Sequence, residues 1–166
     1  EVEPPSVARV DRRPVDRRIV DDEPGVVRPR ELEPIDLSRE NPTRLLWFFE
    51  GFTSYYDDLM LLRTGQIDLE RYTKLLTRTL QAVATTPGRL VQSLAEASFD
   101  AWIKFYRNDE NTPNITVSYY QKGALLALAL DLSLRRDGGS LDAVMRLLWQ
   151  TSHGGAIDEA DIAAAL

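Results

Sequence analysis

Trp47-Phe48-Phe49-Glu50-Gly51-Phe52-Thr53-Ser54-Tyr55-Tyr56 sets one carboxylate and one glycine among large aromatic side chains. The run sits within Thr43 to Arg63, where apolar residues recur at helical spacing. Ser38 is the candidate N-cap of this helix and Gly65 its stop. Two local rules are broken side by side within it. An ionised carboxylate among apolar groups is costly unless it is paired, hydrogen-bonded or on a metal. Gly51 costs about 1 kcal/mol relative to alanine in a helix interior. Adjacent violations mark a place to look for function. The plainer reading puts Glu50 on the wet face or against an arginine.

Outward from this helix the pattern stays helical. Asp68 caps a second helix with the apolar stripe Tyr72, Leu75, Leu76, Leu80 and Val83, ended by Pro87-Gly88. Ser93-x-x-Glu96 is a capping box opening a third, with Phe99, Trp102, Ile103 and Tyr106 as its stripe. Asn111-Thr112-Pro113-Asn114 reads as a turn. A long helix is expected from about Val117 to Arg136, stopped by Gly138-Gly139. Ser140 caps a fifth through Trp149, Gly154-Gly155 breaks it, and Asp158 caps a short last one. No alternating strand pattern is present. The expected class is all-α, a bundle of five to six helices.

The long helix opens with a second anomaly, Ser118-Tyr119-Tyr120-Gln121-Lys122-Gly123. A phenol there can donate a hydrogen bond to a developing oxyanion, and Gly123 permits close approach. The plainer reading makes Tyr119 and Tyr120 amphipathic residues at the core edge. His153 reads as a helix C-terminal histidine facing the dipole. Asp57-Asp58 reads as a solvated or supporting pair.

Composition narrows the chemistry. Of the 166 residues 43% are hydrophobic, enough to bury a core. Acids outnumber bases 26 to 20, giving a net charge of −6, so a chain-wide surface for nucleic acid or anionic lipid is not expected. With no cysteine and one histidine, thiolate and histidine-rich metal sites are excluded for this chain alone. No apolar run approaches a membrane span, so neither membrane nor nucleic acid is an expected partner.

Residues 1–36 differ from the rest. They hold six of the nine prolines, and the first aromatic of the chain is Trp47. Such a segment has little to bury against the entropy of ordering, so an extended or disordered arm is expected over 1–36 and a helical unit over 37–166. Arg12-Arg13 and Arg17-Arg18 are offset by Asp11, Asp16, Asp21 and Asp22.

Several stretches together resemble the glycyl aminopeptidase family of gluzincin zinc metallopeptidases. They are Arg28-Pro29-x-Glu31-Leu32-x-Pro34, Ser38-Arg39-Glu40-Asn41, Leu45-Leu46-Trp47-x-x-Glu50-Gly51-Phe52-Thr53-x-Tyr55-Tyr56, Ser93-Leu94-x-Glu96-x-Ser98-Phe99-Asp100-Ala101-Trp102-Ile103-Lys104 and Tyr119-Tyr120-x-Lys122-Gly123-Ala124-Leu125. The resemblance implies the helical C-terminal subdomain of a thermolysin-like catalytic domain. It implies that Glu50 matches the third zinc ligand and that Tyr120, with Tyr119 as the alternative, carries the oxyanion hydrogen bond. It also implies removal of N-terminal glycine or other small residues from peptides.

The chain departs from that family at a decisive point. The family's His-Glu-x-x-His segment falls on Asp16-Arg17-Arg18-Ile19-Val20. Without two histidines and a general base, no zinc is expected on this chain alone, and no peptidase activity. The chain, starting at Glu1 and lacking the β-rich half that precedes such a subdomain, reads as a fragment. The alternative is a helical interaction module that kept the scaffold and lost the metal site. Either way, parts of Trp47, Phe48, Phe49 and Phe52 are expected to be exposed, and self-association as a homo-oligomer is expected.

Overall fold

The computed structural model describes residues 27–166. The arginine pairs and Asp16–Val20 lie outside the described residues. Among these there are seven helices: α1 (Leu46–Arg63), α2 (Leu69–Thr85), α3 (Leu94–Phe99), α4 (Thr112–Ile115), α5 (Tyr119–Arg136), α6 (Leu141–Ser152) and α7 (Glu159–Ala165). Helix α3 runs on into a π turn, Ala101–Phe105. No strand forms among the described residues, so the architecture is all-α as expected. The seventh helix is α4, one turn long, where the sequence reads as a turn.

Most of the caps lie where the side chains predict them. Asp68 accepts from the Arg71 N–H at 2.8 Å, and Ser140 from that of Ala143 at 3.2 Å. Ser93 with Glu96, and Asp158 with Asp161, form reciprocal capping boxes. Helix α1 is the exception. It begins at Leu46 rather than near Thr43, and Ser38 does not cap it. Its free Trp47 N–H donates instead to the Ser98 hydroxyl of α3 at 2.9 Å, which itself donates to the Leu94 carbonyl. Ser98 is fully buried. Ser98→Ala is therefore expected to leave a buried N–H unpaired and to destabilise the fold by about 1–2 kcal/mol in urea unfolding.

Helices α1 and α5 make the most extensive contact in the fold, and the other elements surround this pair. The core gathers Trp47, Phe48, Phe52 and Tyr55 of α1, Tyr119 and Ala127 of α5, and Leu141, Val144 and Leu148 of α6. This corrects the expected exposure of the α1 aromatics: Trp47, Phe48 and Phe52 are buried and Phe49 is half-buried. The exposed apolar face lies on α3 and its π turn instead, where Phe99, Trp102, Ile103 and Tyr106 are 43–56% exposed. That also corrects the expected stripe. A stripe read at 3.6 residues per turn loses phase where the Tyr106 N–H bonds the Ala101 carbonyl, five residues back. Ala101 turns inward and its neighbours turn out.

The segment ahead of α1 is held down from residue 27 onward. Val27 packs on the core, and Pro29 and Ile157 form a parallel bridge. Arg30 forms ion pairs with Asp158 at 3.0 Å and Asp161 at 2.9 Å. Among the described residues no helix is long and apolar enough to cross a membrane.

Candidate functional site

The two anomalies of the sequence meet in space. Gly51 of α1 and Gly123 of α5 face each other where the helices cross. A Cβ on Gly51 would lie 2.6 Å from the Gly123 Cα, and one on Gly123 would lie 2.5 Å from the Trp47 carbonyl oxygen. The backbones are thus in direct contact, which only glycine at both positions allows. The contact sets Glu50, next to Gly51, alongside Tyr119 and Tyr120, one turn before Gly123.

Lys122 fixes the start of α5. Its ammonium donates to the carbonyls of Arg89 at 3.2 Å and Gln92 at 3.1 Å. Burial, then the nearby Arg89 charge, lower its pKa. The Gln92 side chain accepts from the Val117 N–H at 3.1 Å. The first turn of α5, which carries both tyrosines, is thereby tied to the loop after α2.

Glu50 lines a cleft of about 290 Å³ with Leu32, Asn41, Thr43, Trp102, Tyr106 and Tyr119. The residue is half-buried, and its carboxylate makes no hydrogen bond or ion pair among the described residues. No arginine pairs with it among the described residues. Three phenols meet beside it. The Tyr106 hydroxyl lies 3.0 Å from that of Tyr119 and 3.4 Å from that of Tyr120. The rings of Tyr119 and Tyr120 stack with centroids 4.5 Å apart.

The electrostatics keep both protons in place. Burial raises the Tyr119 pKa, and the hydrogen bond to Tyr106 and the neighbouring Tyr120 hydroxyl add to it. For Tyr120 the hydrogen bond to Tyr106 comes first, then burial, and the Glu50 charge acts in the same direction. The Glu50 charge is thus felt at the Tyr120 hydroxyl. Tyr120 itself lines a separate, smaller pocket of about 120 Å³ with Ser54, Tyr55 and Asp58.

Zinc sites take three or four protein ligands. Among the described residues no group of three His, Cys, Asp or Glu could hold a metal ion. A lone carboxylate such as that of Glu50 falls short of this, so the described residues by themselves do not fit zinc. His153 caps α6 in a left-handed conformation (φ 52°) and is not among the residues lining the cleft. Asp57 is exposed, and Asp58 has a raised pKa from burial and from the Asp57 charge.

Two residues escaped the sequence reading. Tyr106 reads as part of a buried stripe, and only the π turn brings it to the cleft. Asp131 reads merely as the end of an apolar run. It is 3% exposed and accepts from Tyr55 at 2.7 Å, Arg135 at 2.8 Å and the Leu141 N–H at 2.8 Å.

Comparison with known proteins gives this arrangement a family. The chain is similar to an aminopeptidase N family protein from Idiomarina loihiensis, known as a crystal structure. The two are 43% identical with a TM-score of 0.74, and the match covers 84% of this chain and 27% of that one. This chain therefore spans about a quarter of that protein. No curated protein matches it. Residues 25–126, more than half of the sequence and including Glu50, Tyr106, Tyr119 and Tyr120, match the family described as M61 glycyl aminopeptidase. On that match the chain belongs to the M61 glycyl aminopeptidase family.

Proposed function

We propose that the chain is the helical portion of a zinc-dependent aminopeptidase that removes N-terminal glycine or other small residues from peptides. In this reading Glu50 is the one metal ligand the described helices contribute, and Tyr120 stabilises the oxygen that gains charge as the peptide carbonyl becomes tetrahedral. The observation that carries it is the half-buried Glu50, whose carboxylate has no partner among the described residues, sharing a cleft with the phenols Tyr106 and Tyr119. The other two ligands and the general base must come from a segment bearing His-Glu-x-x-His. No hydrolytic step is assigned to these helices alone, and the isolated chain is expected to be inactive.

Tyr120 is preferred to Tyr119 on its surroundings. Tyr119 is 1% exposed and its hydroxyl is held at 3.0 Å. Tyr120 is half-buried, and its contact with Tyr106 at 3.4 Å lies beyond the usual O–H···O range, so a ligand oxygen can displace it. The exposed face of Phe99, Trp102, Ile103 and Tyr106 is the surface this reading gives to the rest of the catalytic domain. Self-association of the isolated chain is assigned to the same face.

Mixing the chain with the upstream region of a family member that carries His-Glu-x-x-His tests this. The mixture should gain one zinc per complex and hydrolyse a glycyl anilide. Glu50→Gln should lose the zinc. Tyr120→Phe should keep it and lower kcat by about 10²–10³-fold. A mixture whose zinc content ignores Glu50→Gln would overturn the assignment. Failure to gain zinc or activity, with an unrelated protein bound at the Trp102 face, would favour the non-catalytic interaction module.

A further inference from the structure

Tyr106 stands between the two tyrosines that the sequence singles out. It is the most exposed of the three, on the π turn, with its ring against Trp102 (centroids 5.8 Å) and Phe105 (5.4 Å). The turn is anchored from beneath by Ala101, which is fully buried.

We propose that Tyr106, which lines the Glu50 cleft, is a positioning residue whose hydroxyl holds that of Tyr120 until a ligand oxygen takes its place. The inference rests on the reading of Tyr120 given above and names the group that prepares it. Two distances carry it. At 3.0 Å, Tyr119 fixes the Tyr106 hydroxyl from the buried side. At 3.4 Å, Tyr120 is held by the same oxygen more loosely. An O–H···O bond is best at about 2.7–2.8 Å, so an incoming oxygen at that distance replaces Tyr106 as the partner of the Tyr120 hydroxyl. Tyr119, buried and held more closely, stays where it is. The chain of three phenols therefore has a fixed inner end and an exchangeable outer end.

The test uses this chain with ¹³C at the Cζ of tyrosine. Tyr106→Phe keeps the ring and its packing and deletes one oxygen, so signal changes report hydrogen bonding. The expected result is that the Cζ lines of both Tyr119 and Tyr120 move upfield while those of Tyr55, Tyr56 and Tyr72 stay. A second measurement in mixed H₂O and D₂O should show the Tyr119 line doubled by slow hydroxyl exchange in the parent, and single in Tyr106→Phe. A Tyr120 line that does not move would overturn the proposal. So would a change spread over all five remaining tyrosines, which would mean that Tyr106 only packs. Neither readout involves metal or hydrolysis, so the outcome is separate from that of the mixing experiment.

Discussion

Gly123→Ala is expected to destabilise the fold by about 3 kcal/mol, although helix propensity alone predicts a gain of about 1 kcal/mol at this interior position. The added methyl would sit 2.5 Å from the Trp47 carbonyl oxygen and 2.9 Å from the Gly51 Cα. Both are backbone atoms of a helix and cannot swing aside as a side-chain end does. Relief requires α1 and α5 to separate, and that loosens the contact around which the core is built. Overpacking typically costs about 1–3 kcal/mol, and more where the backbone must shift. Thermal unfolding should show a midpoint lower by on the order of 10 °C. Gly51→Ala, whose Cβ would meet the Gly123 Cα at 2.6 Å, should behave alike. An unchanged or raised midpoint in both variants would show that the helices cross with more room than described.

Asp131→Ala should cost a similar amount for a different reason. The carboxylate is buried and gathers the Tyr55 hydroxyl, the Arg135 guanidinium and the first N–H of α6. Its removal strands two buried donors and unties α1, α5 and α6 from one another. Each buried donor left unpaired costs about 1–3 kcal/mol, while Arg135, about half exposed, returns to solvent. Burial works against the charge, but the Leu141 N–H, Arg135 and Tyr55 outweigh it, and the Asp131 pKa is lowered. A lowered folded-state pKa means that the group's contribution is complete above the unfolded value of about 3.9. It is lost as pH falls through the folded value. The stability gap between parent and variant should therefore be widest near neutrality and should narrow in strong acid. Urea unfolding at several pH values reads this directly. A gap that widens toward acid would contradict the arrangement.

What the sequence made legible follows the range of each interaction. Asp68, Ser93 with Glu96, Ser140 and Asp158 all cap helices as read, because a cap and its partner lie within three residues. The start of α1 was misread because its N–H is satisfied by Ser98, 51 positions away. Gly51 and Gly123 each broke a local rule for the same reason, yet nothing in either helix alone pairs them. Glu50, Tyr119 and Tyr120 were visible as candidates because each sits badly in its own helix. Tyr106 and Asp131 were not. One fitted a regular stripe, and the other closed an apolar run with an unremarkable acid.

The π turn also has a consequence for how the cleft came to have its wall. A bond from Tyr106 to Ala101 encloses one residue more than a bond of the ordinary helix would. Shortening the segment by one position would restore the regular winding and swing Trp102 and Tyr106 toward the interior. The cleft would then lose one side with every chemical group still encoded. Its shape is a matter of chain length at a single point, and a one-codon deletion there would erase it where many substitutions would not.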